Sequence, residues 1–172
     1  MEIILRHWCK EDLDNVLLYA NNSHIAGNLR DTFPFPYTRE DAQWFVDYAL
    51  KNESERELLY AIDLDGQAVG SISATFHHDI RPISAEIGYW LGEPFWNRGI
   101  ITQAVGMICR QIFSTTDTQR IFAEVFVENA ASRRVLEKCG FTLERVMERS
   151  VYKNGLYLDS CTYQIYKQDF LL

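Results

Sequence analysis

Polar and apolar positions alternate from Ser84 to Leu91, where Ala85, Ile87, Tyr89 and Leu91 interleave with Ser84, Glu86, Gly88 and Trp90. Period two predicts a half-buried strand, and Gly92 with Pro94 stops it. Beyond Gly99 the period lengthens. Ile100, Ile101, Ala104, Val105, Ile108, Cys109, Ile112 and Phe113 recur at helical spacing, so a helix begins near Gly99 and turns its first N–H groups and its positive dipole end toward the connector before it. Such an end can hold a phosphate. Gly99 lets a ligand approach the main chain, and Arg98 adds a fixed positive charge. Taken alone, the glycine reads more simply as a loop residue before an ordinary amphipathic helix.

The same reading extends along the chain. Glu2–His7 predicts a first strand, and Leu13, Val16, Leu17 and Ala20 predict a helix over Lys10–Asn21. The run NNSHIAGNLRDTFPFPYT reads as a loop that carries Phe33, Phe35 and Tyr37, which either lines a pocket, acts as a lid, or packs down. Thr38 with Asp41 opens a helix through Ala49. Leu58–Leu64 and Ala68–His77 form a hairpin around Asp65-Gly66, and the strand at 84 completes a meander. After the helix over 100–114 come a strand at Arg120–Val127 and a short helix capped by Asn129 and ended by Gly140. A final hairpin joins Phe141–Val151 to Leu156–Lys167 through Lys153-Asn154-Gly155. This order predicts one mixed α/β domain over 1–172 around a central sheet.

Composition narrows the partners. A net charge of −7 argues against general affinity for nucleic acid and mildly favours a cationic small molecule or basic peptide. No stretch is long and apolar enough to span a membrane, and the first residues lack a signal-peptide layout, so the expected location is cytoplasmic. Cys9, Cys109, Cys139 and Cys161 form no CxxC and no metal-type spacing with the histidines, so reduced thiols and no metal are expected.

Two segments together carry a family likeness. The runs WNRGIITQA and N-x-x-S-x-x-V-L-E-K-C-G-F resemble the GNAT superfamily of acyl-CoA-dependent N-acyltransferases. EIGYWL and FPYTREDA narrow the likeness to the RimJ/RimL-type branch of ribosomal-protein N-terminal acetyltransferases, from Leu5 to about Tyr166. The resemblance implies a GNAT fold: about seven mostly antiparallel strands, about four helices, and a cleft where the strand at 84 splays from the one after the helix. It also implies acetyl-CoA as donor. The matching pyrophosphate run is Trp96–Ile101, with Trp96 where Gln or Arg is usual and Ile101 where Gly or Ala is usual. Asn97, Arg98, Gly99, Ile101 and Thr102 become the pyrophosphate candidates, the backbone near Trp90 and Leu91 the pantetheine edge, and Asn129 a pantetheine partner as well as a cap.

Amine attack on a thioester needs a proton acceptor for the amine and a donor for the departing thiolate. The resemblance implies a tyrosine donor where this chain has Leu136, and the RimL-like alternative, a hydroxyl one helical turn earlier, is Ser132, with Tyr157 as fallback. Glu86 is the base candidate, either as proton acceptor or as a partner for the substrate ammonium; the carboxylate of the penultimate strand would fall near Val151 and is missing. Acceptor candidates are Arg30, Phe33, Phe35, Tyr37 and His77, with His78 beside it. The implied function is acetyl transfer to a primary amine, a protein or peptide α-amine first, by direct attack in a ternary complex. A small cationic amine as acceptor and a weakly catalytic acyl-CoA-binding module are the alternatives, and the resemblance allows a homodimer through the last strands.

Overall fold

Two turns with consecutive left-handed residues set the two hairpins. Asp65 and Gly66 have φ of 54° and 84°, and Asn154 and Gly155 have 52° and 79°, the pattern whose twist matches that of the flanking strands. In the computed structural model, which describes residues 2–51 and 55–170, they join β2 (Glu57–Leu64) to β3 (Gln67–Phe76) and β6 (Thr142–Lys153) to β7 (Leu156–Tyr166). The other strands are β1 (Ile3–Arg6), β4 (Ser84–Leu91) and β5 (Arg120–Phe126). The helices are α1 (Leu13–Ala20), α2 (Ser23–Ala26), α3 (Arg39–Lys51), α4 (Ile100–Thr115) and α5 (Ala130–Lys138).

The seven strands are ordered β1-β2-β3-β4-β5-β7-β6. β5 lies parallel to β4 and antiparallel to β7, and β6 is the outermost strand, antiparallel to β7. This is the mixed sheet the sequence predicts. The residues cluster into two compact units, Met1–Ala74 with Gly88–Ala104, and Thr75–Ile87 with Val105–Leu172.

In the first unit, Trp8, Leu13, Val16, Ala20, Tyr37, Ala42, Val46, Ala61 and Ala68 form a buried cluster. Beside Trp8 and Leu13 in sequence sits a charged knot. Arg6 donates from Nε to Asp63 at 2.6 Å and from its two terminal nitrogens to Asp12 at 2.7 and 2.8 Å. Asp12 also accepts from Cys9 N at 2.9 Å, so two buried carboxylates share one forked cation. In the second unit, Ile108, Ile112 and Phe113 of α4, Ile121 and Ala123 of β5, Leu136 of α5, and Cys161, Tyr163 and Ile165 of β7 are buried. Tyr163 ties β7 to α5: its hydroxyl donates to Glu137 at 2.8 Å and accepts from Arg133 Nε at 3.3 Å.

Three elements depart from the sequence reading. The first helix opens with a 3-10 turn at Lys10–Asp12. The predicted loop after Asn21 contains the one-turn helix α2, because the Asn22 side chain accepts from His24 N and Ile25 N and so caps it. Phe141 is buried ahead of β6 and stays outside the strand, its N–H donating to Leu136 O at 3.0 Å at the end of α5. Among the described residues, no helix is long and apolar enough to cross a membrane.

Candidate functional site

The connector from β4 to α4, within the first unit, is built by short-range constraints. Gly92 N donates to Val69 O at 2.8 Å. A Cβ on Gly70 would stand 2.4 Å from Trp90 O and 3.0 Å from Leu91 Cα, so glycine is what lets β3 approach the end of β4 this closely. Trp90 and Leu91, the two residues expected at the pantetheine edge, end β4, and the Leu91 carbonyl accepts from Trp96 Nε1 at 2.8 Å.

After a 3-10 turn at Glu93–Phe95, the chain passes through Asn97 and Gly99, both left-handed with φ of 61° and 76°. Trp96, Asn97, Arg98 and Gly99 are exposed. Gln103 N donates to Gly99 O at 3.1 Å, so the amides of Gly99, Ile100 and Ile101 precede the first bond of the helix and point out of its end. A Cβ on Gly99 would meet nothing within 4 Å. The turn is an open, amide-lined cradle, and Arg98, with its guanidinium 5.7 Å from the Phe95 ring centre, stands beside it. The five pyrophosphate candidates thus fall within this turn and the first residues of α4.

The aromatic segment 21–37 divides. Phe33 packs on Tyr37 and Trp90, with ring centres 5.0 and 5.9 Å apart. Tyr37 is 5% exposed and belongs to the core; burial and then Asp41 push its hydroxyl up to about 12, so it stays protonated at neutral pH. Phe35 and Arg30 are exposed. Phe33 with Trp90 is the half-buried aromatic pair of this segment.

In the second unit, the β4–β5 ladder pairs Ser84 with Arg120, Ala85 with Ile121 and Glu86 with Phe122. Phe122 is in turn opposite Gln164 of β7, which places Glu86, Phe122 and Gln164 in one row. His77 meets the Phe122 ring edge-on at 5.3 Å. Arg120 lies over the same ring at 4.5 Å, held by Gln164 at 2.7 Å and Glu144 at 2.6 Å. Glu86 and His77 therefore flank one aromatic residue, and Glu86 is half-buried.

α5 begins where Asn129 Oδ1 accepts from Ser132 N at 3.1 Å, the cap its sequence predicts. Ser132 is half-buried in the first turn. Tyr157, the fallback donor, is exposed at the β6–β7 tip under the Arg149 guanidinium, 4.9 Å from the ring centre. Burial pushes the thiols of Cys9, Cys109 and Cys161 up, and that of Cys139 to about 11. No metal-binding cluster of His, Cys, Asp or Glu occurs among the described residues.

Sequence reasoning passes over two residues. Trp96 reads as a departure from a motif, whereas its indole fastens the connector to the end of β4. Glu93, a charged residue beside a proline, gives no periodic signal, yet its carboxylate accepts from Asn22 Nδ2 at 2.5 Å and lies 3.3 Å from His24 Nδ1. The Asn22-Ser23 pair ahead of His24 and Ile25 is the available helix-start signal.

Comparison with known proteins bears on this arrangement. A family model described as an acetyltransferase (GNAT) domain matches residues 2–142. "Putative ribosomal N-acetyltransferase YdaF" of Bacillus subtilis (strain 168) is 31% identical over 171 residues, covering 98% of this chain and 85% of the relative. Among solved structures, the Microcin C7 self-immunity acetyltransferase MccE, in complex with acetyl-CoA and AMP, superposes with a TM-score of 0.85 at 25% identity over 96% of this chain and 92% of that one. RimL, the ribosomal L7/L12 alpha-N-protein acetyltransferase, in complex with coenzyme A, gives 0.83 at 25% identity over 95% and 93%.

Proposed function

The chain belongs to the GNAT family of acetyltransferases, and from that premise we propose that it acetylates the α-amino group of a protein or peptide by direct attack of the amine on acetyl-CoA. The family makes it an N-acetyltransferase with acetyl-CoA as co-substrate. The observation that carries the reading is the open turn at 96–99, with two left-handed residues, outward amides and Arg98 at the head of a 16-residue helix. Main-chain N–H groups and a helix dipole suit a pyrophosphate irrespective of the side chains at positions 96 and 101. The relatives named for ribosomal proteins support a protein α-amine as acceptor.

Acetyl-CoA supplies an electrophilic thioester carbon; the C–N bond forms as the C–S bond breaks. In this reading Asn97, Arg98, Gly99, Ile101 and Thr102 hold the phosphates, and the backbone near Trp90 and Leu91 with the Asn129 side chain holds the pantetheine arm. Glu86 accepts the proton that the acceptor ammonium must lose for its nitrogen to attack as the neutral amine, with His77 across Phe122 as its neighbour in that transfer. Ser132 donates to the departing sulfur. Phe33, with Trp90, and the exposed Arg30 and Phe35 receive the acceptor chain, while Tyr37 supports Phe33 from the core. The four thiols are all raised by burial rather than lowered, which supports direct attack over an acyl-enzyme.

The test measures CoA release from acetyl-CoA by the purified protein with peptides bearing free N-termini, and with polyamines, aminoglycosides and amino acids, beside calorimetric binding of CoA. Turnover on peptides is expected. Turnover on small amines alone moves the acceptor to that class, CoA binding without turnover on any acceptor makes the chain a binding module, and absence of CoA binding overturns the reading of the turn.

A further inference from the structure

An acidic side chain of the connector that carries the anion-binding turn meets the aromatic segment. Glu93 opens the 3-10 turn before Trp96, whose N–H donates to Glu93 O at 3.1 Å. Its carboxylate points to the start of α2, where Asn22 uses both ends of its amide: Oδ1 caps the helix by accepting from His24 N and Ile25 N, and Nδ2 donates to Glu93 Oε2 at 2.5 Å. His24 Nδ1 lies 3.3 Å from the same oxygen. The neighbouring Asn21 Oδ1 accepts from Tyr37 N at 3.0 Å. Two consecutive asparagines therefore fix the segment 21–37, one to its own far end and the other to the connector.

Packing reinforces the second attachment. The Tyr19 ring lies edge-on to Phe95 with centres 5.1 Å apart, and a Cβ on Gly92 would meet that ring at 3.0 Å. Phe95 is the residue beneath Arg98. The path from Asn22 to the turn thus runs through the Glu93 carboxylate and then the Glu93 carbonyl, which accepts from Trp96 N, the first residue of the turn.

We propose that the Asn22–Glu93 hydrogen bond makes Glu93 a positioning residue that couples the anion-binding turn at 96–99 to the segment 21–37, so that CoA in the turn tightens the segment and an acceptor amine at the segment favours the CoA-bound turn. The coupling is reciprocal by thermodynamic necessity. It rests on the reading that the turn takes the CoA pyrophosphate. The hydrogen bonds from Asn22 and then His24 hold the Glu93 carboxyl below the usual carboxylate range, so the link is made to an anion at neutral pH, where charge-assisted hydrogen bonds are stronger than neutral ones.

The experiment reverses the polarity of the bond. Asn22→Asp keeps an oxygen to cap α2 but sets a carboxylate against Glu93. Glu93→Gln keeps an acceptor for Asn22 and loses the charge. The double variant restores a donor facing an anion, with the amide introduced at position 93 donating to the carboxylate introduced at position 22. Calorimetry with CoA is expected to show a Kd raised about five-fold in Asn22→Asp, less in Glu93→Gln, and within about two-fold of wild type in the double variant. Hydrogen exchange read by mass spectrometry should show CoA protecting residues 23–37 in wild type and in the double variant, and not in Asn22→Asp; a merely local role for the cap would leave that pattern alike in all. Wild-type affinity and protection in Asn22→Asp, or additive losses in the double variant, overturn the coupling alone. A wild type that does not bind CoA overturns the reading of the turn, and the coupling with it.

Discussion

The indole of Trp96 reaches back to the end of β4 and donates to Leu91 O at 2.8 Å, so a residue that departs from the motif the chain resembles also closes the connector on itself. Trp96→Phe keeps an aromatic ring and deletes the donor. The bond is half-exposed, so its loss should cost no more than about 1 kcal/mol of stability, while the turn it holds loses definition. Calorimetry should show CoA affinity down about three-fold to ten-fold with the melting temperature nearly unchanged, because the freed turn must be ordered on binding.

Asn129 is assigned a cap and a ligand contact, and two substitutions separate them. Asn129→Asp keeps an oxygen for Ser132 N and removes the amide donors; Asn129→Ala removes both. The aspartate variant should melt within a few degrees of wild type yet show a raised KM for acetyl-CoA. The alanine variant should lose about 1 kcal/mol of stability as well, and a thermal scan beside steady-state kinetics reads both.

Glu86→Gln should lower kcat by about 10² or more if its carboxylate takes the amine proton, with CoA binding preserved. Ser132→Ala retains the backbone N–H that Asn129 caps, so the helix start survives. A fall in kcat at unchanged CoA affinity then reports the hydroxyl itself.

Acid should expose the knot at Arg6. Burial pushes the Asp12 carboxyl up, but the hydrogen bonds from Arg6 and from Cys9 outweigh it and leave the group below its ordinary range. Its folded value is therefore lower than its unfolded one, and the stability it contributes is complete above about pH 4 and lost as the pH falls below that through the folded value. Chemical denaturation from pH 7 to 2 should show this loss in wild type and a flatter acid limb in Asp12→Asn. Asp12→Ala, which leaves Arg6 short of its forked partner, should cost about 3 kcal/mol.

Most of the fold is legible in the sequence because its signals are local. The strand at Ser84–Leu91 and the change of period at Gly99 are side-chain patterns that burial enforces, and Asp65-Gly66 and Asn154-Gly155 need φ values that few other pairs adopt. What escapes is what long-range partners decide. The cap at Asn22 and the role of Glu93 depend on residues 71 positions apart meeting, and Trp96 looks like a lost glutamine or arginine because its indole bond exists only once β4 and the connector are folded. The close approach of Gly70 to Trp90 O is likewise invisible in either strand alone, because it exists only once β3 and β4 are paired.

The outermost position of β6 carries a consequence for the protein at high concentration. An open edge invites a second copy to extend the sheet, and two identical strands meeting antiparallel about a two-fold axis must place one residue opposite itself. In Glu144-Arg145-Val146-Met147-Glu148-Arg149, an axis on Glu144, Arg145, Glu148 or Arg149 sets that charge against its own copy. An axis on Val146 opposes Glu144 to Glu148, and one on Met147 opposes Arg145 to Arg149. On a regular strand every such centre would bring like charges face to face, which is unfavourable for directly opposed cross-strand pairs. The irregular pairing of β6 with β7 at Leu143/Arg145 and Met147/Val151 disturbs the ladder further. Among the described residues the sheet ends at β6, and both the charge spacing and the broken ladder act against its extension by an identical strand.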